Sequence, residues 1–151
     1  LETAYANQYN AGGNDALIDG ILGAQDFKTG TWQGYWNDDV IATVNLGKTR
    51  TLKTVKVNFL QDQRSWVFYP TTVECLVSKD GISFNSIEEK TINATLPSED
   101  VLIKTVEFHI KNSPYRYVKI VAKKLGVLPE WHIGYKHDGR SWIFVDEIIM
   151  N

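Results

Sequence analysis

Five tryptophans, at positions 32, 36, 66, 131 and 142, carry the chemistry most visible in this chain. Most of them stand beside polar or glycine-rich residues and not inside alternating apolar segments. Trp32-Gln33-Gly34-Tyr35-Trp36, Gln61-Asp62-Gln63-Arg64-Ser65-Trp66 and Pro129-Glu130-Trp131-His132 each set an aromatic ring next to amide, carboxylate, guanidinium or imidazole groups. A sugar presents a patch of C–H on one ring face and hydroxyls around its edge, so a flat aromatic with a few directional polar groups is what a saccharide site needs. Large aromatics also dominate sandwich cores, so only some of the five are expected to be contacts.

A second group of residues suits a hard cation. The stretch Asn10 to Gly20, followed by Gly23, Asp26 and Gly30, combines oxygen donors with flexible backbone. Calcium takes about six to eight oxygens, and glycines let several carbonyls turn toward one point. The spacing of Asp15, Asp19 and Asp26 does not fit the helical calcium-loop motif, and an ordinary capped turn would use the same residue types.

Catalytic chemistry is thinly supplied. Glycoside hydrolysis needs two carboxylates held about 5 to 9 Å apart across a cleft, and no local arrangement selects a pair from the 18 acidic residues. There is no Gly-x-Ser-x-Gly elbow, no phosphate-binding glycine loop and no His-Glu-x-x-His helix. His132 and His137 share a glycine-containing loop while His109 falls on a predicted strand, so a zinc site would need help from distant residues.

The elements that must position these residues are strands. Val55, Val57 and Phe59 alternate with Lys56 and Asn58; Val106, Phe108 and Ile110 with Glu107 and His109; Val118, Ile120 and Ala122 with Lys119 and Val121. That period is the signature of a strand with one wet face. Val40 to Leu46, Thr72 to Ser78 and Trp142 to Met150 extend the set to at least six, each bounded by Gly, Pro, Asn or Asp. Lys79-Asp80-Gly81 reads as a hairpin connection. Helical periodicity is absent apart from a short turn around Asp15 to Ile21, so an all-β antiparallel sandwich is predicted over a parallel sheet with crossover helices. With 43% apolar residues in 151, the chain should bury one core and form a single domain over residues 1–151.

A net charge of −2 with dispersed basic residues argues against nucleic acid, whose phosphates demand clustered Lys and Arg. No apolar run approaches the roughly 18 residues of a membrane helix. The single cysteine, Cys75, shares a predicted strand face with Val73 and Val77 and reads as a buried, inert thiol. The opening Leu1-Glu2-Thr3 carries no signal peptide and suggests a fragment of a longer precursor.

Taken in order, these segments resemble a known family. Asn14-Asp15-Ala16-Leu17-Ile18-Asp19-Gly20 with Trp32-Gln33-Gly34-Tyr35 is similar to the opening of a discoidin-like (coagulation factor type C) domain, the group that contains family 32 carbohydrate-binding modules. Ser78-Lys79-Asp80-Gly81-Ile82-Ser83-Phe84 resembles that family's hairpin, Arg116 to Ile120 its late core strand and Phe144 to Ile148 its closing strand. Gln61 to Pro70, Trp131 to Gly134 and Ser141 to Glu147 resemble the version appended to Bacteroides-type secreted β-hexosaminidases of the chitobiase kind.

The resemblance implies an antiparallel jelly-roll β-sandwich of about eight strands. It also implies a structural calcium held by Asp19 and Glu147, with Asp26 and Thr29 as further candidates. The alternative for Glu147 is an ion pair with Lys or Arg. The function implied is non-catalytic glycan binding on behalf of an attached glycoside hydrolase, in a bacterial protein that is secreted, periplasmic or at the cell surface. The domain would be a monomer that does not insert into membranes. Its expected ligand is a galactose- or N-acetylhexosamine-type sugar. Trp131 with Trp36 or Trp66 would stack on that sugar, and Gln61, Arg64 and His132 would fix its hydroxyls. The competing expectation is a structural spacer or protein-interaction domain packed on the parent enzyme.

Overall fold

The computed structural model describes residues 1–151. Six strands form one continuous hydrogen-bonded antiparallel sheet: β1 (Gln33–Trp36), β2 (Val40–Gln61), β3 (Thr72–Ser78), β4 (Asn85–Thr91), β5 (Leu102–Lys123) and β6 (Trp142–Met150), in the order β1-β6-β2-β5-β3-β4. Two of them are too long to stay flat. β2 and β5 pair along their whole length, with register shifts between Asn45 and Arg50 and between Leu52 and Thr54, where the pair turns a corner. The first half of β2 and the second half of β5 join β3 and β4; the other halves join β6 and β1. The sheet thus folds onto itself as a two-layered jelly-roll sandwich, and counting each long strand as two halves gives the eight strands expected.

The core follows from alternation. Val40, Ala42 and Val44 with Val73, Cys75, Val77, Val118 and Ile120 face Val55, Val57, Phe59, Val106, Phe108, Val145 and Ile148 across the layers, within a cluster of 23 buried residues. Cys75 lies there as a free thiol, pushed up to about 12 first by burial and then by Glu74 and Glu88. The other face of the β2–β6 pair is also covered. Leu60 and Phe144 point away from the main core and pack with Phe27, Trp32 and Val67 beneath the amino-terminal loop.

Apolar alternation finds β3 and β6 at their observed bounds. It divides β2 and β5 into separate strands, because the residues at their corners are polar and exposed. It does not mark β4, a sheet edge with little buried surface, nor β1, whose Gln33 and Gly34 are buried without being apolar. The β3–β4 hairpin turns at Asp80-Gly81. Gly81 takes a φ of 79°, and the Asp80 carboxylate accepts from Ile82 N–H, Ser83 N–H and the Ser78 hydroxyl, which holds it down to about 2.

Candidate functional site

Three loops meet beside the end of β2: residues 62–67, residues 92–101 and residues 124–141. The first is a tight turn. Asp62 and Val67 bridge across it, Ser65 donates to the Asp62 carboxylate at 2.8 Å, and Trp66 is held at a φ of 62°, a left-handed conformation uncommon for a bulky residue. Such strain persists only where the surroundings over-determine it. Here the Trp66 ring is wedged against Gly134, where a β-carbon would overlap the indole, and meets the His132 ring edge-on at 5.2 Å.

Gln63 ties the three loops together. It is 3% exposed; its amide donates to Leu96 O at 2.8 Å and accepts from Ser98 N–H at 2.7 Å, fixing the second loop. Its main-chain carbonyl meets His132 Nε2 at 2.7 Å, fixing the third. His132 Nδ1 accepts from Gly134 N–H at 3.0 Å. A carbonyl can only accept and an amide N–H can only donate, so these partners select the Nε2–H tautomer.

On this frame stands Trp131. Its indole N–H donates to Thr95 O at 3.2 Å and its ring packs on Phe68 and His132 at 6.2 and 5.7 Å, yet 46% of its surface stays in solvent. With Arg64, Glu99, Ser98 and Ile133 it lines an open cleft of about 340 Å³. Arg64 is exposed and makes no ion pair, so its guanidinium fork is available to a ligand. One flat ring, one free guanidinium and one carboxylate around a shallow cleft form a surface that can stack on an apolar face and hydrogen-bond the rim of a polyol.

The structure brings Arg64, Trp131 and His132 together and redistributes the other expected contacts. His132 is 7% exposed with both ring nitrogens engaged, so it braces Trp131 and has no nitrogen left for a ligand hydroxyl. Trp66 is a wedge beneath the third loop. Trp36 lies on β1 against Trp142, at 4.9 Å between ring centroids, away from the cleft. Gln61 is 4% exposed and lines a separate groove with Tyr69 and Lys104. Gln63, Ser98, Glu99 and Ile133 were not predicted. Ser98 and Glu99 come from a loop about 35 residues away from Gln63, and no local pattern announces that approach.

The cation candidates divide in the same way. Glu147 is buried and accepts from Gly20 N–H at 3.1 Å, which sets it beside Asp19, and the adjacent Asp146 accepts from Gly23 N–H at 2.6 Å. Burial raises the Glu147 carboxyl above its ordinary range; the Gly20 bond opposes this, and the negative charges of Asp19 and Asp146 add to it. No Lys or Arg pairs with these acids. Asp19 and Glu147 meet beside glycine-rich backbone without a counter-charge, but Asp146 accepts from Gly23 N–H, the Asn58 amide and Glu147 N–H, and no three acidic, histidine or cysteine side chains are grouped to hold a metal ion. Asp26 and Thr29 are engaged locally: Asp26 accepts from Lys28 N–H, and the Thr29 hydroxyl bonds Asp26 O and Thr31.

Comparison with known proteins agrees with this architecture. The F5/8 type C domain profile matches residues 2–147. No curated protein sequence matches significantly. Among solved structures, the chain is similar to the family 32 carbohydrate-binding module of Clostridium perfringens NanJ in complex with galactose, with 21% identity, 98% of this chain and 88% of that one covered, and a TM-score of 0.56. It is similar to another C. perfringens family 32 module, in complex with GalNAc-β-1,3-galactose, at 19% identity, 98% and 90% coverage and a TM-score of 0.58. The C-terminal domain of a Bacteroides fragilis chitobiase matches at 16% identity, 94% and 81% coverage and a TM-score of 0.55. By its sequence profile and its folded-over antiparallel sheet, the chain belongs to the F5/8 type C, or discoidin-like, domain family.

Proposed function

We propose that this domain is a non-catalytic glycan-binding module whose site is the Trp131 cleft. The observation that carries the reading is an aromatic ring 46% exposed to solvent yet pinned at its N–H and braced from below, with the free Arg64 and Glu99 beside it. Trp32, whose N–H is likewise satisfied, is by contrast wholly buried. The cleft has a single carboxylate, Glu99, where glycoside hydrolysis asks for two, and this supports binding without cleavage.

A galactose- or N-acetylhexosamine-type residue would stack on Trp131 while Arg64 and Glu99 take its hydroxyls. The two relatives bound to galactose and to GalNAc-β-1,3-galactose support that class, and the chitobiase C-terminal domain supports an attached bacterial glycoside hydrolase, secreted, periplasmic or at the cell surface. A one-ring site of this kind should bind only in the millimolar to micromolar range, about −4 to −8 kcal/mol. Useful retention would come from avidity with the enzyme's own site. Asp19 and Glu147 would hold a structural calcium that joins the amino-terminal loop to the closing strand, coupling metal binding to folding.

A screen of the calcium-loaded domain against a glycan array, with Trp131→Ala and Arg64→Ala beside it, tests the proposal. Selective binding lost in both variants is the expected result. Silence from the folded domain would favour the second reading, a spacer packed on its parent. That reading draws on exposed Ile18, Ile21 and Leu22, at 46%, 53% and 60%.

A further inference from the structure

On the other side of the 92–101 loop lies a larger groove of about 740 Å³. Pro97 and Ser98 line both this groove and the Trp131 cleft, so a narrow ridge separates the two. Its floor contains two polar side chains that the protein leaves unpaired. Gln61 continues the inward face of Val57 and Phe59 to the mouth of the sandwich; it is 4% exposed, and its carboxamide has no hydrogen-bond partner in the chain. Tyr69 is 6% exposed, and its hydroxyl likewise has none.

No buried side-chain polar atom sealed from solvent lacks a partner in this molecule, so these two groups open into the groove. Burial pushes the Tyr69 hydroxyl up to about 12, which keeps it a proton donor. Nearly buried amides and phenols with no partner from the protein itself are uncommon in folded proteins, and they are satisfied by water or by a ligand. Here both face one open space. Above them, Lys104 Nζ lies 5.7 Å from the centre of the Tyr69 ring and forms no ion pair. It is the single charged residue of the groove, whose remaining lining is neutral, including Asn93 and Leu102.

We infer that this groove is a second saccharide subsite, taking a unit that carries a carboxylate or sulfate. Gln61 and Tyr69 bond its hydroxyls and Lys104 pairs with its anionic group. This inference rests on the glycan reading of the Trp131 cleft. The ligand is then an oligosaccharide that crosses the Pro97–Ser98 ridge, neutral on the Trp131 side and acidic on the Lys104 side.

Titration of the ¹⁵N-labelled domain with three probes tests it: N-acetyllactosamine, trigalacturonate and a κ-carrageenan tetrasaccharide, which are neutral, carboxylated and sulfated. At least one acidic probe is expected to shift the Gln61 side-chain amide and to bind about tenfold more tightly than the neutral one, the worth of one charge-assisted contact. The acidic probe that succeeds identifies the anionic group. Lys104→Met, at an exposed position, should remove that preference and its salt sensitivity while leaving N-acetyllactosamine binding intact. Tyr69→Phe should weaken the acidic probe alone. The inference is overturned if N-acetyllactosamine shifts Trp131 while neither acidic probe moves Gln61 or responds to Lys104→Met. Acidic probes that shift Gln61 while N-acetyllactosamine leaves Trp131 still would sink the cleft reading and keep the groove. No shift with any probe removes both.

Discussion

Trp32 and Trp131 stand in similar sequence surroundings, each near glycine and polar residues, and the fold puts them to opposite uses. Trp32 is fully buried: its N–H donates to Ala24 O at 2.6 Å, its ring lies over Gly23 where no β-carbon would fit, and Phe27, Leu60, Val67 and Phe144 enclose it. Trp131 also has its N–H satisfied, by Thr95, and also packs on aromatic neighbours, yet nearly half of it remains in water. The amino-terminal loop spends its aromatic on stability, whereas the loops around Gln63 hold theirs rigid and open. The difference lies in what backs each ring. Strand β6 offers Phe144 to the first, while the third loop's own His132 and the buried Phe68 support the second.

The largest expected effect tests the stability side of that contrast. Trp32→Ala should cost about 3–5 kcal/mol in urea unfolding, by lost burial and a cavity above Phe144. A cost under 1 kcal/mol would mean that the amino-terminal loop is not part of the folded core. Next comes the proposed calcium. Calcium at about a hundredfold excess over its dissociation constant should add about 2.7 kcal/mol, read as a rise in melting temperature that chelator reverses. Asp19→Asn with Glu147→Gln should abolish this increment, while the double variant Asp26→Asn with Thr29→Ala should leave it in place.

Gly134→Ala sharpens the binding side. A methyl group there drives into the Trp66 indole, so we expect a loss of about 1–3 kcal/mol together with weakened sugar binding, since Trp66 and Trp131 both rest on His132. The smallest effect belongs to Trp131→Ala, which should change stability by less than about 1 kcal/mol. A large destabilisation would turn Trp131 into a second Trp32 and dissolve the comparison.

Much of the sandwich is legible from alternation, because Val, Ile and Phe at every second position in β2, β3, β5 and β6 can bury only one face. The corners of β2 and β5 are not legible, since polar exposed residues interrupt the pattern while the hydrogen-bonded pairing continues through them. In the candidate site, Arg64 and Trp131 stand out by residue type, as does the Asp19–Glu147 pair through the family resemblance. The role of His132 does not, because it depends on a carbonyl at Gln63 and an N–H at Gly134 that only the folded chain brings to its two nitrogens. Gln61 and Gln63 are two residues apart and both buried. One braces three loops and the other faces an open groove, a distinction decided entirely by the long-range approach of residues 92–101.

The most direct measurement is the indole region of a ¹H–¹⁵N spectrum of the domain, titrated with galactose and N-acetylgalactosamine. Five tryptophans supply five separate reporters of the two regions. Saturable movement of the Trp131 resonance, a smaller response at Trp66 and stillness at Trp32, Trp36 and Trp142 is the predicted result. Movement centred on Trp36 and Trp142 with Trp131 unaffected would contradict the assignment of the glycan site to this cleft.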